Sequence, residues 1–408
     1  MKRHYSFCFL VVSLPYVIAC NHTSESKPFP QEYILTSERT SMGGAFSNVM
    51  ELKDDFLLCC SNAYIFVFSA LDYSFVSKYK IDPIIRTSQI IRSSSPYLYF
   101  MDVNNKNEIR KYVIDTLGHI GLLQTGYAGM NSAVNLPYIL HDSLLLYDEF
   151  IPEAAIKIRN LYTNAVTRTL PYGRTSLDDR FFDLNMGGLY ANDSCMAFAY
   201  KYQDKIDFYD WQFNLIRSVN HQQYAPVIYR EKGNYLNNVH YYGYSYMGRN
   251  YFYTLYRGVS NKIFRSDSLH VYREMFEYGI ARDVLEVYDL NGYPVCLFRF
   301  DDVAPSRFVI DEEQNVLLGF RRSFVDSLLV YRLHGLPKNG KKYPERIQTI
   351  HSFFPDLPPP DAPKEFVQYT RVGGEIEDYP CYYIYNAYLV NGLFSTPVAR
   401  EVFTTVIK

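Results

Sequence analysis

The stretch with the strongest claim to chemistry is Gly335–Lys342, GLPKNGKK, which follows the G-x-x-x-x-G-K pattern of a phosphate-binding loop up to its final position. Such a loop cradles phosphate on backbone amides at a helix start and needs a Ser or Thr hydroxyl for magnesium. Lys342 stands where the hydroxyl belongs, and Tyr343-Pro344 argues against a continuing helix, so the segment reads as a solvated hairpin. Asp102–Glu108, DVNNKNE, begins like a calcium loop, but Lys106 takes a ligand position and the turn glycine is missing. Nine histidines contain no H-x-H or H-E-x-x-H pair. GYSYM at Gly243 lacks the second glycine of a nucleophile elbow and reads as strand. No catalytic set, no metal site and no cofactor is expected from these motifs.

Cysteine chemistry is confined to one end of the chain. Lys2 and Arg3 precede an apolar run, Tyr5–Ile18, that is shorter than the roughly 18 residues needed to span a bilayer. It reads as an export signal. Its end, Val17-Ile18-Ala19-Cys20, resembles the lipobox of bacterial lipoproteins, which implies cleavage before Cys20 and lipidation of its thiol. Several acyl chains, at about 0.8 kcal/mol per buried CH₂, would hold such a protein stably on a membrane. Asn21 is not the aspartate that commonly marks inner-membrane retention, so the expected address is the cell envelope, on the outer membrane. Cys59, Cys60, Cys195, Cys296 and Cys381 remain, an odd number without C-x-x-C spacing, so neither a disulfide framework nor zinc is expected.

The body of the chain carries 41 basic against 43 acidic residues, which provides no field for nucleic acid. Forty tyrosines and 28 phenylalanines against a single tryptophan favour strands. A phrase of short strand, polar turn and more apolar strand recurs six times, at Asn48, Ser88, Asn135, Gly187, Tyr242 and Arg307. The second strands are placed near Phe56, Tyr97, Ser143, Ser194, Tyr251 and Asn315, with steps that lengthen along the chain as loops grow. Each copy runs on into a further strand and hairpin. In VLEVYDLNGYPVCLFRF, Asn291-Gly292 predicts a type I′ turn. Four strands in each of six units predict an all-β fold, a six-bladed β-propeller of four-stranded antiparallel blades.

The phrases NMGGLYANDSCMAFAYKYQDKIDFYD from Asn185, YFYTLYRG from Tyr251 and VLEVYDLNGYPVCLFRFDDVAPSRFVIDEEQNVLLGF from Val284 resemble the TolB-like six-bladed propeller lipoproteins of Gram-negative bacteria. The resemblance covers about residues 33–352 and implies the fold. It carries over no catalytic residue. The expected organisation is a signal at 1–19, a lipidated tether at 20–32, the propeller at 33–352, and a proline-rich connector with a C-terminal segment at 353–408. Either EYILT from Glu32 or CYYIYNAYLV from Cys381 is expected to complete the sixth blade.

In a propeller the loops after second strands and those between blades gather on one face, where loops that are individually ordinary form a site. This places Asp102, Asp148, Glu149, Lys201, Tyr202, Tyr256, Arg257, Arg321 and Arg322 on that face, with Arg86 and Arg230 on inter-blade loops. Lys201, Arg257, Arg321 and Arg322 suggest a cationic arc for an anionic ligand. Tyr242, Tyr244 and Tyr246 alternate on one strand face, filling the space between blades or offering rings to a sugar. The expected function is a lipid-anchored, non-catalytic binding or scaffolding propeller that recognises a protein, peptide or glycan. The alternative is a lactonase-like hydrolase with a metal over the channel, for which Asp102, Asp148 and Glu149 are the candidate carboxylates.

Overall fold

The second strand of each repeat is its most apolar run, and the fold buries these strands on both faces. Met196–Tyr200 and Val316–Phe320 are buried at every position, whereas the outermost Val166–Pro171 is exposed at nearly every one. A strand flanked by sheets on both sides needs apolar residues throughout, and a strand at the rim does not. The computed structural model describes residues 29–42, 50–61, 64–80, 88–102, 108–127, 134–149, 154–174, 183–221, 226–230, 237–260, 284–301, 304–321 and 327–336. Gly335–Lys342 lies mostly, and Arg86, Lys106, Arg322 and Cys381 entirely, outside them.

Antiparallel pairing groups the described strands into blades. Blade one is Met50–Lys53, Phe56–Ser61, Tyr64–Ser69 and Phe75–Lys80, and blade two is Ser88–Ser93, Leu98–Asp102, Glu108–Ile114 and Ile120–Tyr127. Blade three is Val134–Leu140, Leu144–Glu149, Ala155–Asn160 and Val166–Pro171; its first strand joins that of blade two by a short parallel bridge at Tyr138 and Ile139. Blade four is Gly187–Ala191, Met196–Tyr200, Lys205–Tyr209 and Leu215–Asn220. Blade five is Val239–Met247, Tyr251–Ser260, Val284–Asp289 and Pro294–Phe300. Blade six takes Arg307–Asp311, Val316–Phe320 and Ser327–Arg332 from the end of the described chain and its rim strand, Glu38–Ser41, from the beginning.

From blade two to blade six the first strands of successive blades lie side by side, that of blade six returns to that of blade one, and blades one and two meet through a shared apolar cluster, so the chain forms a β-propeller. Apolar cores fill the seams. Leu58 and Val67 meet Leu98 and Phe100 between blades one and two, and Ile156 meets Phe198 between three and four. One large cluster runs through blades five, six and one and includes Leu285, Phe308 and Phe66. At about 1.5–3 kcal/mol per buried large side chain, such seams stabilise a ring whose blades cannot bury both faces alone.

The closing strand differs from the expectation for EYILT. Glu32–Leu35, the expected EYILT, adds in parallel to the rim of blade five, with Tyr33 opposite Phe298. The next strand, Glu38–Ser41, pairs Thr40 with Leu328 on blade six. One segment therefore clamps two adjacent blades. CYYIYNAYLV lies outside the described residues.

The hairpins joining third and fourth strands share a device that the sequence reading missed. Asp115, Asn160, Asp210 and Asp289 each accept backbone N–H bonds from residues two to four positions on. A left-handed residue follows in each: Gly118, Asn164, Phe213 and Gly292. The Asn291-Gly292 hairpin exists, but it is not type I′. Only Gly292 has positive φ, Asp289 caps the turn, and the register slips by one residue after Val287, the pattern of a type I turn with a bulge.

The end of the channel where first strands finish is bridged from side to side. The Arg92 guanidinium of blade two donates to the carbonyl of Met247 in blade five at 2.9 Å, stacks on Tyr246 at 4.0 Å, and lies 3.3 Å from the Glu51 carboxylate of blade one. Lys53 donates to the Ser95 carbonyl, Tyr138 to Asp193 at 2.8 Å, and Asn192 to the Gly248 carbonyl at 2.7 Å. These bonds cross seams, and Arg92 crosses the axis. At the other end second strands finish and new blades begin.

Candidate functional site

At that other end, the seam between blades four and five gathers basic groups. Lys201 and Tyr202 follow the second strand of blade four, His240 lies on the first strand of blade five, and Arg257 lies on its second. The backbone fixes them: Lys201 N–H donates to the Met186 carbonyl, and Tyr241 N–H donates to the Lys201 carbonyl across the seam, at 2.8 and 2.9 Å. Lys201 and Arg257 are only 7% and 6% exposed. The Lys201 ammonium sits 5.2 Å from the Tyr202 ring, which meets the His240 imidazole edge to face at 5.1 Å. Arg257 lies flat over Gly243, where an added Cβ would come within 2.9 Å of its Nε.

Electrostatics follow from this crowding. Burial, and then the Arg257 charge, push the Lys201 amine well below its usual value. Burial, and then the Lys201 and Arg257 charges, push His240 well below its own, so the imidazole is neutral at neutral pH. A carboxylate placed beside Lys201 and Arg257 would gain charge-assisted bonds in a low dielectric. Replacing Lys201 with Met should therefore raise the His240 pKa toward 6.5. Imidazole ¹⁵N shifts against pH measure this, and an unchanged His240 would remove Lys201 from its neighbourhood.

The other face residues have different settings. Tyr256 is half-buried, and its hydroxyl donates to Asp204 at 3.2 Å. Asp148 accepts the Tyr172 hydroxyl at 2.5 Å; burial and the adjacent Glu149 charge raise its carboxyl to about 7, against the effect of that bond. Glu149 pairs with Lys157 on the next strand. Arg321 donates to the Ala304 carbonyl at 2.7 Å. Asp102 ends the second strand of blade two, and Arg230 is exposed. Of the suggested arc, the structure thus brings together Lys201 and Arg257. His240 was missed, because a lone histidine in a tyrosine-rich strand carries no signal of its own.

Tyr242 does not share the face of Tyr244 and Tyr246, which pack against one cluster. Register shifts after His240 and Tyr242 turn Tyr242 toward Asp204 of blade four, while Tyr244 packs edge-on to Phe308 of blade six and Tyr246 receives Arg92. All three fill space inside the ring. Among the described residues no group of three or more His, Cys, Asp or Glu side chains is disposed to hold a metal.

No protein-family model matches the chain. No curated protein sequence matches it either. Among solved structures it is similar to one titled "Streptogramin B lyase structure", with 10% identity and a TM-score of 0.38 over 70% of this chain and 78% of that one. A likeness so distant carries no argument about activity.

Proposed function

We propose that the protein is a non-catalytic binding or scaffolding propeller, held by lipid on Cys20 at the outer membrane. It recognises an anionic group of a protein, peptide or glycan at the seam of blades four and five. The observation that carries this reading is the convergence of Lys201, His240 and Arg257 at one end of a ring whose opposite end is stitched by Arg92. The lipobox at Val17–Cys20 supports the anchor, and the resemblance to TolB-like lipoproteins agrees with it.

The test uses a soluble form starting at Asn21 against arrays of acidic and neutral glycans and peptides. Carboxylate-bearing members are expected to bind, and Arg257→Ala to weaken them about 10-fold or more, the effect of one lost charge-assisted bond. Gly243→Ala, which displaces the guanidinium without removing it, should weaken them as well. Binding indifferent to both changes would refute the site. Separately, Cys20→Ala should release the protein from membranes and abolish its acyl mass; unchanged partitioning would refute the anchor.

A further inference from the structure

On the outer side of the same seam lies a second polar cluster with the opposite sign. Asp204 of blade four accepts the Tyr242 hydroxyl at 2.9 Å and the Tyr256 hydroxyl at 3.2 Å, both from blade five. His221, at the end of blade four, sets its Nδ1 3.5 Å from Asp204, and its N–H donates to the Asp204 carbonyl at 3.0 Å. Glu286, in the middle of blade five's third strand, accepts the Tyr288 hydroxyl at 2.8 Å. Its cross-strand neighbours, Thr254 and Leu297, carry no charge. Asp204 and Glu286 are almost wholly buried, and His221 is partly open to water. The titratable groups that face Glu286 are therefore Asp204, His221, Tyr242, Tyr256 and Tyr288.

We propose that these residues form a proton-operated latch that tightens the seam between blades four and five in mildly acidic surroundings and slackens it at alkaline pH. The balance of charge gives the direction. With protons on His221 and Glu286, the seam holds one ion pair, His221 with Asp204, and one neutral carboxyl. Without them it holds two neighbouring carboxylates and a neutral ring, and desolvated like charges are costly.

The titration behaviour agrees. Burial raises Glu286 from 4.5 to about 7, and the Asp204 charge adds to this against the effects of His221 and the Tyr288 bond. Burial alone would lower His221, but its bond to Asp204 and the Glu286 and Asp204 charges outweigh that and hold it above 6.5. Both groups bind protons more tightly in the folded state. Their stabilisation is therefore complete below the unfolded values, 4.5 for Glu286 and 6.5 for His221, and is lost as pH rises through the folded ones. Because the two interact, the cluster titrates as a set.

Asp204 and Lys201 belong to one short loop, so the latch also sets how firmly the ligand face is held. That consequence rests on the proposed anion site; the latch itself is read without any ligand. The test is hydrogen exchange of the soluble form from pH 6 to 8.5, expressed as protection relative to the intrinsic rate at each pH. The reporter is the Tyr241 amide, which bonds across the seam to Lys201.

In the wild type its protection should fall on the order of 10-fold as pH rises, while blade one peptides stay level. Glu286→Gln keeps an acceptor for Tyr288 and should flatten the fall. His221→Gln, on the wetter side of the cluster, should flatten it as well and serves alone if the first variant does not fold. Protection at Tyr241 that ignores pH, or a fall that both variants retain, would overturn the latch. Asp148 rises to about 7 by its own burial in blade three, so a whole-protein stability profile would not separate the two sites.

Discussion

Removing residues 1–41 should cost the ring about 5 kcal/mol or more relative to removing residues 1–28, counting the buried side chains and strand bonds that residues 29–41 contribute. The lost segment contributes more than a strand edge. Leu35 is 1% exposed within the cluster shared by blades five, six and one, and Thr40 is also buried. Leu297 and Asp301 of blade five donate their amides to the carbonyls of Gln31 and Leu35, at 2.9 and 3.0 Å. The Thr36 hydroxyl donates to Asp301 at 2.6 Å, and Arg299 pairs with Glu32. Without the segment, Ser327–Arg332 becomes a bare apolar edge with Leu328, Leu329 and Tyr331 beneath it, the kind of edge that recruits other chains. Urea midpoints and gel filtration of the two truncations measure the effect. Equal midpoints would mean that the clamp is dispensable.

The second large effect is expected at the stitched end of the channel. Arg92→Met should destabilise the protein by about 3–5 kcal/mol, because it leaves the Glu51 carboxylate buried without its guanidinium. Glu51 already sits above its usual value through burial, which the Arg92 and Lys53 charges oppose. Loss of Arg92 therefore raises it further. A carboxyl raised in the folded state loses stability as pH climbs from 4.5 toward that folded value, so the penalty should be larger at pH 8 than at pH 5. Arg92→Met with Glu51→Gln should recover much of the loss, a coupling that a double-mutant cycle reads directly. If the double variant is as unstable as the sum of the singles, the Arg92 bond to Met247 and its stacking on Tyr246 carry the effect instead of the ion pair.

The blades were legible because their signal is local. Second strands begin at Phe56, Leu98, Leu144, Met196, Tyr251 and Val316, within two residues of the positions read from apolar density and polar turns. The closing strand was harder, because Glu38–Ser41, ERTS, is short and polar as rim strands are, while the apolar EYILT next to it looked the better partner. The shared tyrosine face was misplaced because a bulge shifts register by one residue and turns a side chain to the other side of the sheet.

For the site, Lys201 and Arg257 were reachable because the repeat defines where second strands finish, although Arg257, read as a loop residue, lies inside the strand Tyr251–Ser260. Asp204, His221, His240 and Glu286 were not, since their meaning comes from which blade they meet across a seam. Nothing in the spacing of Asp204 and Glu286 announces that two tyrosines and a histidine bring their surroundings together.

A single oxidation tests whether the strand Glu38–Ser41 closes the propeller. Ser41 stands opposite Ser327 in the antiparallel register, close enough for a disulfide, as such pairs are. Cys59, Cys60, Cys195 and Cys296 are buried thiols, and with Cys381→Ser in the background no other cysteine should compete. In the soluble form, Ser41→Cys with Ser327→Cys should oxidise within one chain, giving a linked tryptic pair by mass spectrometry, while each single variant gives none. A double variant that stays reduced, or links only between chains, would contradict the closed ring.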